Sequence, residues 1–384
     1  MSTLQPLDLT RRLIAFDTTS RGSNLALIDF AQELLEGHGA RCRRTFDPGG
    51  KKANLFATLG PDGHGGTVLS GHTDVVPVDG QDWSSDPFQA EVRDGRLYGR
   101  GACDMKGFIG VALSLLPKIA DARLTHPIHF ALSYDEEVGC TGVRELLADL
   151  TANDIRPELA IIGEPTLMKV VGAHKAGAVL HTRCHGREGH SSAPEKGANA
   201  VMMAGEFVRL LQEMWDELRA DHDPAFDPPH TTLQANMIEG GSASNILARD
   251  ALVTWEYRAL PGRDTDAIVA RVRQRAEREI LAKYRKRAPE ARLETVLHAS
   301  YPGLAMDETS PAVRAALTLT GATHAEAVSY GTEAGHFQRA GIPSVICGPG
   351  SIEQAHKADE FVHLAQLEAC GRFLDKVIAR ACVA

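Results

Sequence analysis

Short apolar runs alternate with helix-length amphipathic stretches along the first part of the chain, and that alternation leaves few folds open. "NLFATLG" and "TVLSGHTDVV" read as strands, and "MKGFIGVALSLLPKIA" reads as a helix. "IHFALSYD" is the next strand, "TGVRELLADL" a helix, and "ELAIIGE" and "KVVGAHK" are strands again. Such a sequence builds an α/β fold, a mixed, mostly parallel sheet covered by helices. In such sheets ligands bind beyond the carboxyl ends of the strands.

The pattern changes near Gly177. "AVLHTRCHG" is a strand, "GANAVMMAGEFVRLLQEMWDELRA" a long helix, and "TTLQANMIEGG" and "DALVTWEYRAL" two more strands. A second helix, "TDAIVARVRQRAEREILAKYRKR", and a closing strand, "ARLETVLHAS", complete the order β-α-β-β-α-β of a compact ferredoxin-like α+β sandwich. After about Tyr301 the first style returns: helix "SPAVRAALTLTG", strand-like "AEAVSYG", helix "EAGHFQRAG", strand "PSVICGPG" and a last helix from near Glu360. The expected division is therefore residues 1–177 and 299–384 as one domain, with 178–298 inserted into it. A length of 384 residues suits two domains.

The strands of the first domain end in polar residues of one chemical kind. "TVLSGHTD" delivers His72 and Asp74, "YGRGACDMKG" delivers Asp104, "FALSYDEE" delivers Asp135, Glu136 and Glu137, and "LAIIGEP" delivers Glu164. "CGPGSIEQAHKADE" places His356 beyond a later strand. Taken singly, each has a plainer reading. His72 could be a hydrogen-bonded structural histidine, Asp104 a helix cap, Glu164 a turn residue before Pro165, and His356 a surface histidine. Together they face one crevice, where adjacent carboxylates need water, shared protons or a cation. The joint pattern favours metal. Oxygen and imidazole donors suit zinc, and a carboxylate shared by two ions suits a binuclear hydrolytic centre.

Composition removes several other classes. A formal charge of -9 argues against a nucleic-acid or anionic-membrane partner. No run of 18 apolar residues is present to span a bilayer, and "MSTLQPLDLTRRLIAF" lacks the pattern of a signal peptide. The seven cysteines are scattered, with no CxxC spacing, which reads as reduced thiols in a cytoplasm. No G-x-G-x-x-G opens a helix after a strand, as a dehydrogenase would require, and G-x-S-x-G is absent. A non-catalytic binding protein on the same scaffold should lack a ligand or a base.

The motifs "GHTDVVP", "DWSSDPF", "LYGRGACDMKG", "DEEVG", "GEPT", "GHSSAP", "SNIL" and "GPGSIEQAHKADE" resemble those of a known family. It comprises dinuclear zinc amidohydrolases and peptidases, including acetylornithine deacetylase, succinyl-diaminopimelate desuccinylase and glutamate-releasing carboxypeptidases. "DWSSDPF", "GPGSIEQAHKADE" and "YGTEAGHF" are most similar to the acetylornithine deacetylase branch. The resemblance implies two zinc ions per chain, with cobalt as a substitute, and Asp104 bridging them. His72 and Glu164 would complete one shell, Glu137 and His356 the other. Glu136 would be the general base, and Asp74 would orient His72. His190 would be an oxyanion donor reaching a second subunit's site, in a homodimer. Asn245 and Arg258 match substrate-binding positions, and Arg258 suits an α-carboxylate through its planar fork. Cys103, beside Asp104, departs from the pattern and reads as packing or a weak extra donor. The implied reaction is hydrolysis of an N-acyl amino acid, N-acetylornithine first. Desuccinylation, aminoacylase-type deacylation and dipeptide cleavage are the alternatives within the family.

Overall fold

The computed structural model describes residues 4–383. Residues 1–3, part of the stretch read above as no signal peptide, and residue 384 lie outside the described residues. The chain divides into two units, one made of the segments up to Ala173, Leu304–Ala327 and from Thr332, the other of His174–Gly303 with Val328–Gly331.

An eight-stranded sheet organises the first unit. Its order is Arg41–Phe46, Ala53–Leu59, Ile128–Ser133, Thr67–His72, Leu159–Pro165, Ser344–Gly348, Val171–His174, Glu326–Val328. The four strands from Ile128–Ser133 to Ser344–Gly348 run parallel, and Ala53–Leu59 and Val171–His174 flank them with antiparallel pairing. Every residue of these four is buried. That explains their unbroken apolar runs, since a parallel sheet is covered on both faces. Register then sets the site. His72 lies opposite Ser133 and Thr67 opposite Leu159, so the chain leaves neighbouring strands at the same edge of the sheet.

The helix Lys106–Ser114 is buried along its whole length, as expected of a helix apolar on all sides. Gly110 lets it approach Pro6–Ile14, since a Cβ there would lie 2.2 Å from Thr10 Oγ1. The stretch read as one helix, "MKGFIGVALSLLPKIA", breaks at Leu115, and a second helix, Leu116–Asp121, follows with Pro117 in its first turn. Proline has no N–H to continue the first helix but suits the start of the second. The last helix begins at Leu364, because Phe361–His363 first pairs as a strand with Arg96–Tyr98.

The second unit is a four-stranded antiparallel sheet in the order Thr232–Gly240, Asp250–Ala259, Ala176–His185, Arg292–Tyr301. The helices Ala200–Leu218 and Thr265–Ala276 pack with it, giving the ferredoxin-like order read from the sequence. Residues of Asp250–Ala259 alternate between buried and half-buried, as a strand covered on one face does. Trp255 anchors the core, edge-on to Phe207 and donating from Nε1 to Thr182 Oγ1 at 2.8 Å. The second helix passes through a wide turn, Glu277–Leu281, before ending at Tyr284.

Among the described residues no helix is long and apolar enough to cross a membrane. All seven cysteines are free.

Candidate metal centre

The carboxyl ends of the parallel strands bring His72, Asp74, Glu136, Glu137, Glu164 and His356 together within the first unit, and Asp104 joins them from the turn between the antiparallel strand Arg96–Tyr98 and the helix Lys106–Ser114. Asp104 lies between two imidazoles. Its Oδ1 is 3.0 Å from His72 Nε2, and its Oδ2 is 3.3 Å from His356 Nε2. His72 Nε2 is also 3.6 Å from Glu164, and His356 Nε2 is 3.0 Å from Glu137. One ligand atom each from His72, Asp104 and Glu137 lie within 4.8 Å of one another, as do those of His72, Glu136 and Glu164.

The acidic triplet divides at a backbone kink. Asp135 adopts φ +54°, a left-handed conformation unusual for a residue with a Cβ. Its carboxylate turns to Lys52 Nζ at 2.5 Å, while Glu136 and Glu137 continue into the cluster. Asp74 holds them there. Its oxygens accept the backbone N–H groups of Glu136 at 3.1 Å and Glu137 at 3.3 Å, and the Ser20 hydroxyl at 2.7 Å. The contact expected between Asp74 and His72 is made mainly by the main chain. His72 Nδ1 lies 2.9 Å from the Asp74 carbonyl and 3.6 Å from its carboxylate. That contact leaves Nε2 facing the cluster.

The charges in this cluster oppose one another. Burial raises Glu136 well above the usual carboxylate range, and Glu137, Glu333 and Asp104 add to the effect. Burial and the Asp104 charge push Glu137 up to about 7 and raise Glu164 strongly. Burial alone would raise Asp104 too, but hydrogen bonds from both histidines hold it well below its ordinary value. His356 is held up to about 11 by Asp104 and Glu137. For His72 burial opposes protonation, yet Asp104 and Asp74 prevail and raise it. Acids that raise one another, around histidines whose protonation the same acids favour, form a group short of positive charge. The mixed oxygen and imidazole donors fit a divalent transition metal such as zinc.

Several neighbours had no site role in the sequence reading. Glu333 is 1% exposed, and its Oε1 has no hydrogen-bond partner among the described residues. Glu360 and Arg100 form an ion pair at 2.7 Å, each side chain 1% exposed. Both residues stand inside quoted motifs, "HKADE" and "LYGRGACD", but burial of an arginine is not visible in a sequence, where the default is solvent. Cys103 is buried and donates from Sγ to the Ser351 carbonyl at 3.2 Å, as packing requires.

The other expected residues belong to the second unit. His190 is exposed, and its Nδ1 accepts from the Ser192 hydroxyl at 2.8 Å. Asn245 is exposed, and its backbone carbonyl accepts the Ser191 N–H at 3.0 Å. Arg258 is half-buried, donates to the Tyr301 hydroxyl and pairs with Glu256 at 3.0 Å.

Comparison with known proteins identifies the family. The profile of the family described as Peptidase family M20/M25/M40 matches residues 68–380. The chain is 36% identical to acetylornithine deacetylase of Proteus mirabilis over 389 residues, covering 98% of this chain and 97% of that protein. It is 36% identical to acetylornithine deacetylase of Myxococcus xanthus over 379 residues, covering 96% of each. Among solved structures, a metallo-carboxypeptidase of Sulfolobus solfataricus has the same fold at a TM-score of 0.79, 16% identity and full coverage of both chains. Aminopeptidase PepT of Bacillus cereus gives 0.74 at 19% identity, again over the whole of both. The chain therefore belongs to the M20/M25/M40 family and is a metal-dependent hydrolase of the peptidase and amidohydrolase type.

Proposed function

We propose that the chain removes the acetyl group from N-acetyl-L-ornithine, giving ornithine and acetate in arginine biosynthesis, with two zinc ions per chain. The observation that carries the reading is Asp104, whose two oxygens face different histidines. One ion would be held by His72, Glu164 and Asp104, the other by Glu137, His356 and Asp104, with cobalt able to replace zinc. Bound there, the ions would supply Lewis acidity and bring the pKa of water towards about 7.

The chain's own residues would then move the proton. Glu137 pairs with His356, whereas Glu136 accepts a hydrogen bond from the Cys140 thiol at 3.3 Å and, among the described residues, forms no ion pair. Glu136 is accordingly the general base, taking a proton from water and returning it to the departing amine nitrogen. Asp74 keeps Glu136 and Glu137 in place through their backbone amides. Arg258 would hold the substrate α-carboxylate, with Asn245 as a further polar contact, and His190 of a second copy would donate to the developing oxyanion. The exposed apolar Val296 and Leu297 on Arg292–Tyr301 support a homodimer, which sedimentation at twice 41.4 kDa would check. The seven free cysteines suit a cytoplasmic location, and the charge of -9 suits a small-molecule substrate over a nucleic acid or membrane partner.

A panel of N-acyl amino acids and dipeptides tests the substrate. N-acetyl-L-ornithine should give the highest kcat/KM, at least about 10-fold above N-succinyl-diaminopimelate, as hydrogen-bonding pockets discriminate strongly. A succinyl substrate or a dipeptide at the head of the panel would overturn the assignment.

A further inference from the structure

Asp104 and His356 are tied together by a chain of polar contacts that is buried around Glu360 and reaches the surface at Gln81. The Glu360 carboxylate receives four donors: Arg100 Nη1 at 2.7 Å, the Gly101 N–H at 3.0 Å, the Cys103 N–H at 2.8 Å and the Asp104 N–H at 3.0 Å. It therefore fixes the backbone of the turn that presents Asp104. Arg100 stacks over the Trp83 ring, 5.1 Å from its centroid, and its Nη2 donates to Gln81 Oε1 at 2.6 Å. Gln81 also accepts from Trp83 Nε1 at 3.1 Å. Its Nε2 then donates to the backbone carbonyl of His356 at 2.9 Å.

His356 needs such a restraint. Its side chain is 52% exposed, so packing does little to hold it, and its φ of +63° is a conformation that a residue with a Cβ keeps only when its surroundings enforce it. A buried ion pair such as Arg100–Glu360 is weak evidence of a role in stability, because desolvation offsets much of its attraction. Its contacts lead instead to the two groups that must stand a fixed distance apart.

We infer that Gln81, held by Arg100 and Glu360, is a positioning residue that sets His356 against Asp104 and so tunes the affinity of the ion those two share. The inference rests on the two-ion reading proposed above. Partners behind a metal ligand typically contribute 10–100-fold in metal affinity. Gln81 is half-buried in a loop, so its replacement spares the core.

Cobalt uptake, followed by competition with a coloured chelator on the full chain, gives the test without any turnover. Wild type should take two ions. Gln81→Ala should bind one with unchanged affinity and the other at least about 10-fold more weakly. Glu360→Gln loosens the turn that carries Asp104 and should weaken both ions, so Gln81→Ala is the variant that decides. In a His356→Ala background, adding Gln81→Ala should change neither affinity further, since the group it positions is gone. Two ions bound by Gln81→Ala with wild-type affinities, or both weakened alike, would overturn this inference and leave the two-ion reading standing. Fewer than two ions in wild type would overturn that reading and this inference with it.

Discussion

Glu136 and Glu137 are neighbours in sequence, and neighbouring residues cannot occupy the same place around an ion. The backbone kink at Asp135, its pairing with Lys52 and the grip of Asp74 on two successive amides separate three acids into three situations. The division of labour proposed for the last two has distinct chemical consequences. Glu136→Gln should keep about two ions per chain and lose at least about 10²-fold in kcat, the lower end of what general-base catalysis supplies. Glu137→Gln should instead release an ion, because an amide oxygen replaces a charged ligand beside His356. Metal analysis of the two purified variants separates these outcomes, and the opposite pattern would mean that the roles are exchanged. Most of the residue types were readable in the sequence because they followed an apolar strand, and Asp104 because it stands in a glycine-rich turn before a helix. The supporting groups were not. Arg100, Glu360 and Glu333 look like surface residues until the fold buries them, and no periodicity marks an arginine that folds inward.

At the scale of elements, the buried parallel strands were the easiest to read, since solvent-free faces leave continuous apolar runs. The edge strand Arg41–Phe46 was missed. Its "RCRRTF" carries charges that solvate an exposed edge and break the alternation. The helix break at Leu115 was also missed, although Pro117 signalled it. Within Ile128–Ser133 the single histidine, His129, is 2% exposed, stacks on Phe56 and lies 2.9 Å from the Thr58 hydroxyl and 3.1 Å from the Gly65 carbonyl. Burial, aided by Arg41 and opposed by the Gly65 bond, lowers its pKa to about 4. The folded strand therefore refuses a proton that the unfolded chain accepts near its ordinary value of about 6.5. The stability this gives is present above pH 6.5 and is lost as pH falls towards 4, at about 1.4 kcal/mol per pH unit. Unfolding free energies from urea titrations of wild type and His129→Gln over that range should show a shallower slope with pH in the variant by about that amount. Parallel slopes would mean that His129 titrates normally.

At the scale of the molecule, two independent patterns in one sequence, βα alternation and an intervening β-α-β-β-α-β order, gave the fold class, and the M20/M25/M40 family match agrees with it. Substrate identity lies at a finer level, because it depends on loop and pocket shape, which strand and helix periodicity do not encode. Dependence of hydrolysis on metal lies at the centre. Elemental analysis and hydrolysis should be measured together on native, chelator-dialysed and zinc- or cobalt-restored protein. The expected result is activity lost with the metal and regained as the content returns to two ions per chain. Undiminished hydrolysis by protein shown to be free of metal would contradict it.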